Sequence, residues 1–245
     1  MIPWMRRRSA RLGAAVTVDT MGARLFHRHK MLEDGDARIT VAGAEVDTLH
    51  DFREPTPLTP VYTPISESVN RGNYFPDYVG THNAFHMPST TDHLDAAVAV
   101  GAGGVGMWVI CDVDPSAGTR YQASLIGATG RLSLYSNTIG YSALCTFQTT
   151  GQVSVTAGSP TPSAQVRLFA IRAKASGAVF EIDGAPTTPN FSVEEPPIAF
   201  TTFSWGEEVN HSRGYILETF VAEPDDDIND AIKAYASDTY GLTIS

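Results

Sequence analysis

The 245-residue sequence has few cysteines, few charged residues and no long apolar run. Its two cysteines, Cys111 and Cys145, are too few for a disulfide scaffold and lack the CxxC spacing of a zinc site. Two interpretations are left: both are buried free thiols, or they form one disulfide bridge. No segment approaches the ~20 consecutive apolar residues that a membrane helix needs. Charged residues make up 18% of the chain and hydrophobic residues 42%, which argues against global disorder and leaves enough apolar material for a core.

Charge is distributed unevenly along the chain. Residues 1–30 hold seven basic residues and one acid, a net charge of +6, whereas the remainder carries −16. A basic segment on an acidic body suggests an arm that docks on another surface, and a solvated tail is the alternative. The predicted anchoring residues are Arg6, Arg7, Arg8 and Arg11. Because only a short apolar stretch, Leu12 to Val18, follows them, an export signal is a marginal reading.

A proline-rich stretch suggests where the chain divides. Four prolines occur between residues 55 and 64, and proline fixes φ and removes a hydrogen-bond donor, so we expect an extended connector. We place the boundary near residue 70. Residues 1–70 then form the basic N-terminal arm and connector, with two short strands around Gly43, and residues 71–245 form the main domain.

The main domain is rich in short apolar runs separated by turn residues. Gly106 to Val113 is a mostly apolar strand, Arg131 to Tyr135 alternates with a period of two, and Asp183-Gly184 is a strong turn signal. Such spacing is typical of an antiparallel β-sandwich or barrel. The other predicted strands are residues 121–126, 152–157, 165–173, 179–183, 198–205 and 214–221.

One helix is predicted near the end, over residues 226–238. Ile228, Ala231, Ile232 and Tyr235 recur at helical spacing after an acidic opening, and Gly241 is a stop signal. We expect this apolar stripe to pack on the sandwich.

Six segments, taken in order, carry a family pattern. They are AFHMPSTTDHLD at 84–95, Trp108, GRLSLY at 130–135, the strand pair 165–184, the strand 214–220 and YASDTYGL at 235–242. Together they resemble the concanavalin A-like, laminin-G-like jelly roll, in the version found in virion proteins of tailed phages and gene transfer agents. The resemblance covers residues 72–245. It implies a mainly β, antiparallel sandwich with a short C-terminal helix, here preceded by an extended N-terminal arm.

Aromatic side chains are the candidates for ligand binding, because flat rings stack on sugar faces while a few polar groups fix orientation. The candidate residues are Tyr74, Tyr78, Tyr135, Tyr141 and Trp205. Core packing or subunit contact is the alternative for each of them.

Catalytic and metal motifs are incomplete. Glu181 and Asp183 match the first half of the Glu-x-Asp-x-x-Glu motif of glucanases on this fold, but the second glutamate is missing. His82, His86 and His93 could approach a metal, and Asp112 with Asp114, or Asp225 to Asp227, could offer oxygen ligands to Ca²⁺. The alternative for the histidines is that they are polar loop residues, and the alternative for Asp225 to Asp227 is that they begin a helix. We therefore predict no catalytic residue, metal or cofactor.

The leading functional hypothesis is a non-enzymatic part of a phage-like particle assembled in the cytoplasm. It would be a capsid-associated spike, fibre-base or decoration subunit that forms a homo-oligomer and contacts other virion proteins, with host-surface carbohydrate as a candidate ligand. The acidic body argues against nucleic acid as a partner of the sandwich. A secreted or surface carbohydrate-binding module is the alternative, and a glucanase is a third reading.

Overall fold

The described residues form strands almost throughout. The structure is a computed structural model, and it describes residues 15–43, 45–49, 60–61, 73–87, 94–101, 104–113, 120–137, 140–147, 151–157, 165–174, 177–187, 199–205 and 214–245. The strands are β1 (Leu25–Lys30), β2 (Ile39–Ala42), β3 (Glu45–Leu49), β4 (Pro60–Val61), β5 (Asn73–Val79), β6 (His82–Met87), β7 (Leu94–Val100), β8 (Val105–Val113), β9 (Arg120–Gly127), β10 (Gly130–Asn137), β11 (Gly140–Phe147), β12 (Gly151–Ala157), β13 (Val166–Lys174), β14 (Gly177–Ile182), β15 (Ala185–Pro186), β16 (Phe200–Trp205) and β17 (Gly214–Ala222). Helix α1 spans Asp226–Tyr240, and two 3₁₀ turns, Val18–Thr20 and Gly22–Arg24, precede β1.

Two antiparallel sheets make the predicted β-sandwich. Sheet A has the order β15-β14-β13-β8-β17-β6-β5-β3-β2, with β1 also paired to β17. Sheet B has the order β12-β11-β10-β9-β16-β7-β4. The eight strands predicted in the main domain, the two short strands around Gly43 and the Asp183-Gly184 turn are all confirmed.

The centre of sheet A is covered on both faces, and this explains the apolar sequence of its central strand, β8. Met107 and Val109 of β8 belong to the core between the sheets, with Leu125 and Phe203 of sheet B. Trp108 and Ile110 point to the other, outer face, into a second apolar cluster that includes Phe220 and the helix. A strand buried on both faces reads as a continuous apolar run, as β8 does. Cys111 of this strand is a buried free thiol, and burial raises its pKa.

The predicted helix and its packing are confirmed. Ile228, Ala231 and Ile232 are buried in the second cluster, and Tyr235 packs against it. Gly241 ends the helix in the left-handed conformation, with φ of 67°. Asn229 adds a polar link, because it accepts a hydrogen bond from Trp108 Nε1 (2.8 Å) and donates one to Glu181 (2.9 Å).

The N-terminal segment differs from the predicted separate arm. β1, β2 and β3 are strands of sheet A, so residues 25–49 belong to the sandwich rather than to an arm ending near residue 70. Pro60–Val61 pairs with β7 in sheet B, and the rest of the proline-rich connector lies outside the described residues. The sequence of β1, LFHRHK, lacks apolar alternation because polar side chains fill its buried positions. Arg28 pairs with Glu218, and the His29 ring stacks on Phe203 of sheet B. Arg24 and Arg28, counted as arm charges, form ion pairs with Glu223 and Glu218 of the body.

A β-bulge in β17 places a carboxylate under the helix. The register with β8 shifts between Ile216 and Glu218, so an extra residue, Leu217, enters the strand. Such a bulge turns two successive side chains to one side, and here Leu217 joins the second cluster while Glu218 also faces the helix.

Glu218 is fully buried and fully bonded. Its carboxylate accepts hydrogen bonds from Arg28 Nε (2.6 Å) and from the hydroxyls of Tyr235 (2.9 Å) and Tyr240 (2.6 Å). The Arg28 guanidinium also lies 5.0 Å from the centre of the Tyr235 ring. Burial and the neighbouring carboxylate raise the pKa of Tyr240, which keeps its hydroxyl a donor. This network joins β1, β17 and α1.

We expect Ile232→Ala to destabilise the protein by about 2–5 kcal/mol, because the side chain is 0% exposed between helix and sheet. Thermal or urea unfolding of the full chain measures the change. Asp230→Ala, on the exposed side of the same helix, is the control and should change stability by less than about 0.5 kcal/mol. Equal stability of the two variants would contradict the packing described here.

We expect Glu218→Gln to cost about 3–5 kcal/mol, because it removes the buried countercharge of Arg28 and leaves the guanidinium facing the exposed Asp19 carboxylate, 3.8 Å away. The matched control is Glu223→Gln, which breaks an ion pair of similar length whose carboxylate is 40% exposed, and which should cost less than about 1 kcal/mol. Urea unfolding of both variants gives the comparison. A loss at Glu218 no larger than that at Glu223 would show that the buried charge pair is not a main source of stability.

Candidate functional site

An aromatic cluster lies on the outer face of sheet A, the face that also carries helix α1. It consists of Phe75, Tyr78, His86 and Tyr215. The Tyr78 and Tyr215 rings stack with centres 4.0 Å apart, and the His86 and Tyr215 rings stack at 4.4 Å. Phe75 lies roughly perpendicular to this stack, 5.3 Å from Tyr215. Among the described residues, Phe75 is the one exposed large hydrophobic side chain, at 42%.

An irregularity in β5 assembles this cluster. In a regular strand, residues 75 and 78 would point to opposite faces. The pairing of β5 with β6 shifts between Phe75 and Val79, and Asp77 adopts a positive φ of 50°. The Asp77 amide donates to Asn83 Oδ1 (3.1 Å), which holds the irregular segment in place. Phe75 and Tyr78 therefore both reach the outer face.

A buried carboxylate fixes the inner end of the cluster. The Tyr78 hydroxyl donates a hydrogen bond to Asp112 of β8, which is 7% exposed. Burial, followed by this bond, raises the pKa of Tyr78, so the phenol remains neutral. The cluster is thus a preformed aromatic surface rather than a set of mobile side chains.

A groove opens where β17 changes its neighbour in sheet A. Residues 214–216 pair with β6, and residues 218–222 pair with β1, so a gap forms at the bulge. The Met31 amide donates to the Leu217 carbonyl (2.9 Å) at this point. The groove has a volume of about 600 Å³ and is lined by Lys30, Met31, Leu32, Glu33, Asp34, Gly35, Asp36, Thr81, His82 and Asn83.

Hydrogen bonds hold several of the side chains that line the groove. Lys30 Nζ donates to the Tyr235 hydroxyl (3.1 Å), and His82 Nε2 lies 2.8 Å from the Thr239 carbonyl. In the segment that follows β1, Arg38 donates to both carboxylate oxygens of Asp36 and lowers its pKa to about 2. The groove is therefore polar, rigid and of mixed charge.

The sequence-predicted aromatic residues are separated by the fold. Tyr78 belongs to the aromatic cluster. The Tyr74 hydroxyl accepts a hydrogen bond from the Asp34 amide (3.1 Å) beside the groove, and burial raises the pKa of Tyr74. Tyr135 is half-buried in sheet B. Tyr141 and Trp205 are 1% exposed in the core between the sheets, where core packing, the alternative considered for them, accounts for their rings.

Tyr215 and the loop 31–36 are not identified from the sequence. His86 is named there only as a possible metal ligand, and the pairing of Tyr215 with His86 brings these two distant strands together. Phe75 and His82 stand beside Tyr74 and Tyr78 in an aromatic segment that is visible in the sequence. The arginines proposed as anchors, Arg6 to Arg11, lie outside the described residues, as do His93 and Asp114.

The carboxylates considered for catalysis or Ca²⁺ have structural partners. Glu181 is buried beneath α1 and accepts a hydrogen bond from Arg172 (2.8 Å). Asp183 sits in the β14–β15 turn and accepts from the Leu168 amide (3.0 Å). The acids at the start of α1 bind arginines: Asp225 and Asp227 bind Arg24, and Asp226 binds Arg172.

Within the described part of the chain, no three His, Cys, Asp or Glu side chains form a group that could hold a metal ion. In that same part, no helix has the length and apolar character needed to cross a membrane.

Comparison with known proteins shows the fold. No protein-family model matches the chain, and no curated protein matches its sequence. Among solved structures, the chain is similar to the receptor-binding domain of botulinum neurotoxin C/D mosaic serotype, with a TM-score of 0.63 and 9% identity over 90% of this chain and 55% of that one. It is also similar to the botulinum neurotoxin serotype D ligand binding domain in complex with N-acetylneuraminic acid, with a TM-score of 0.61 and 10% identity over 89% and 54% of the two chains.

A third similar structure is Trypanosoma rangeli sialidase in complex with 2,3-difluorosialic acid, with a TM-score of 0.52 and 11% identity over 89% of this chain and 33% of that one. The chain thus spans about half the length of the neurotoxin chains and a third of the sialidase. At these identities the likeness establishes a β-sandwich architecture.

Proposed function

We propose that this chain is a non-enzymatic carbohydrate-binding β-sandwich that serves as a surface component of a phage-like particle. The observation that carries the binding role is the exposed aromatic cluster on sheet A. Its rings are fixed by mutual stacking and by the Tyr78–Asp112 hydrogen bond, and Phe75 presents its ring to solvent. A rigid aromatic surface binds an apolar sugar face with little loss of side-chain entropy.

The similar structures support a binding role without defining the ligand. Two of them are described as receptor-binding and ligand binding domains, and one of these is in complex with N-acetylneuraminic acid. Sialic acid therefore belongs in the set of sugars to be tested, beside neutral hexoses. The carboxylates that resemble catalytic groups, Glu181 and Asp183, are held in the structural contacts described above, which favours binding over hydrolysis.

The place in a particle is supported by sequence features. The segment pattern over residues 72–245 resembles virion proteins, and Arg6, Arg7, Arg8 and Arg11 precede the sandwich. In this proposal the basic residues anchor the domain on other virion proteins, and the sandwich faces outward as a spike, fibre-base or decoration subunit. Several copies would then present the aromatic cluster together, which multiplies weak sugar contacts into useful avidity.

We expect Phe75→Ala to weaken binding to a recognised glycan about three- to tenfold, because one ring–ring or ring–sugar stacking contact contributes about 0.5–1.5 kcal/mol. The measurement is a glycan array followed by titration calorimetry of the full chain with the best ligand. The panel includes glucose, galactose, N-acetylglucosamine and N-acetylneuraminic acid.

The control for this experiment is Asp230→Ala, on the exposed side of α1 and outside the aromatic cluster, which should leave glycan affinity unchanged. Melting temperatures of both variants check that each is folded. Glycan binding that survives Phe75→Ala and Tyr215→Ala at full strength would remove the aromatic cluster from the proposed site.

We expect removal of residues 2–14 to release the protein from particles while leaving the sandwich folded, because the described strands begin at residue 25. Particles purified from producing cells are tested for the protein, and its melting temperature is measured alone. Full retention on particles would contradict the anchoring role of Arg6 to Arg11. Recovery of the intact protein only as a particle-free secreted form would contradict the particle role itself.

A further inference from the structure

We propose that the groove at the β6–β1 junction is a second ligand site, distinct from the aromatic cluster, and that it takes a neutral polyhydroxylated ligand such as a sugar ring. The groove and the cluster share no lining residue. Its volume of about 600 Å³ falls within the range of about 300–1,000 Å³ that is usual for small-molecule sites. The site follows from the change of strand partner at Leu217.

The groove is preformed, which favours a binding site over an incidental gap. The loop between β1 and β2 makes its own turn, in which the Asp36 amide donates to the Glu33 carbonyl (3.1 Å). Asn83 Nδ2, from a side chain 6% exposed, donates to the Leu32 carbonyl (2.9 Å) and fixes the loop to β6. A loop held in this way loses little conformational entropy when a ligand binds.

The lining of the groove includes both hydrogen-bond acceptors and a charged donor. Glu33 and Asp34 have exposed side chains, and no hydrogen bond or ion pair joins their carboxylates to any described residue. The Lys30 ammonium has three N–H donors, one of which is used by the Tyr235 hydroxyl. Asp36 is already neutralised by Arg38 and does not compete for the ligand.

This arrangement selects the chemical class of the ligand. A carboxylated or phosphorylated ligand would meet the Glu33 and Asp34 carboxylates as like charges. An amine would satisfy those carboxylates but would bring a second positive charge beside the Lys30 ammonium. A hydroxyl group both donates and accepts, so vicinal hydroxyls on a ring can donate to the Glu33 and Asp34 carboxylates and accept from Lys30. Thr81, also in the lining, adds a further hydroxyl partner.

The test is amide NMR of the ¹⁵N-labelled full chain, titrated separately with glucose, galactose, N-acetylglucosamine, glucosamine and N-acetylneuraminic acid. We expect at least one neutral sugar to shift amides of residues 31–36 and 81–83 in a saturable way. The variant Asp34→Asn should weaken that binding about tenfold, because a hydrogen bond to a charged carboxylate is replaced by a weaker one to a neutral amide. The exposed-acid control Asp238→Asn should leave it unchanged.

The groove and the aromatic cluster are separated by a second variant. Phe75→Ala should leave the groove shifts intact, so failure of one site does not imply failure of the other. Three results would each overturn the groove proposal: no neutral sugar shifts its amides, glucosamine or N-acetylneuraminic acid binds there in preference to every neutral sugar, or Asp34→Asn binds as tightly as the unaltered protein.

Discussion

The carboxylate of Glu218 is the constraint on which the rest of this structure depends. A charge buried to 0% exposure is stable only when its bonds are completed, and the partners come from β1 and from α1. Those partners fix the first strand and the helix on the same side of sheet A. The bulge that turns Glu218 toward the helix also ends the pairing with β6, and the groove opens at that point. One extra residue in β17 thus determines both how β1 and α1 are fixed to sheet A and where the groove lies.

The parts of the fold that the sequence predicts are those set by local pattern. Residues 106–113 are predicted as a buried strand because they form a mostly apolar run, and the structure covers both faces of that strand. Residues 226–238 are predicted as a helix because their apolar residues form one stripe, which packs on sheet A. β1 escapes prediction because its buried Arg28 is compensated by a residue 190 positions away, and no local pattern reports such a partner. The division near residue 70 differs from the structure for the same reason. Prolines mark extended chain, but they do not tell whether the strands before them join the same sheet.

The candidate sites are less predictable than the fold. Aromatic residue type alone does not separate Tyr78, which stands on the outer face, from Trp205, which is buried between the sheets. Exposure depends on which face of which sheet a residue occupies, and an irregular strand such as β5 changes that face without any clear sequence signal. The groove is harder to predict than the aromatic cluster. Lys30 and His82 are neighbours only because β1 and β6, which are separate in the sequence, both pair with β17.

The pairing of β1 with β17 has a consequence for how the chain reaches its native state. Strand β1 lies at residues 25–30, while its neighbour in the sheet and the helix that completes its polar contacts lie at residues 214–240. During synthesis β1 stays without its partner strand until β17, about 190 residues later in the chain, has left the ribosome. Contacts of such long sequence separation make folding slow, and the waiting strand is exposed to misassembly with other chains. The histidine, arginine and lysine side chains of β1 therefore have a second effect: on an unpaired strand they oppose aggregation until β17, with Glu218, pairs with β1.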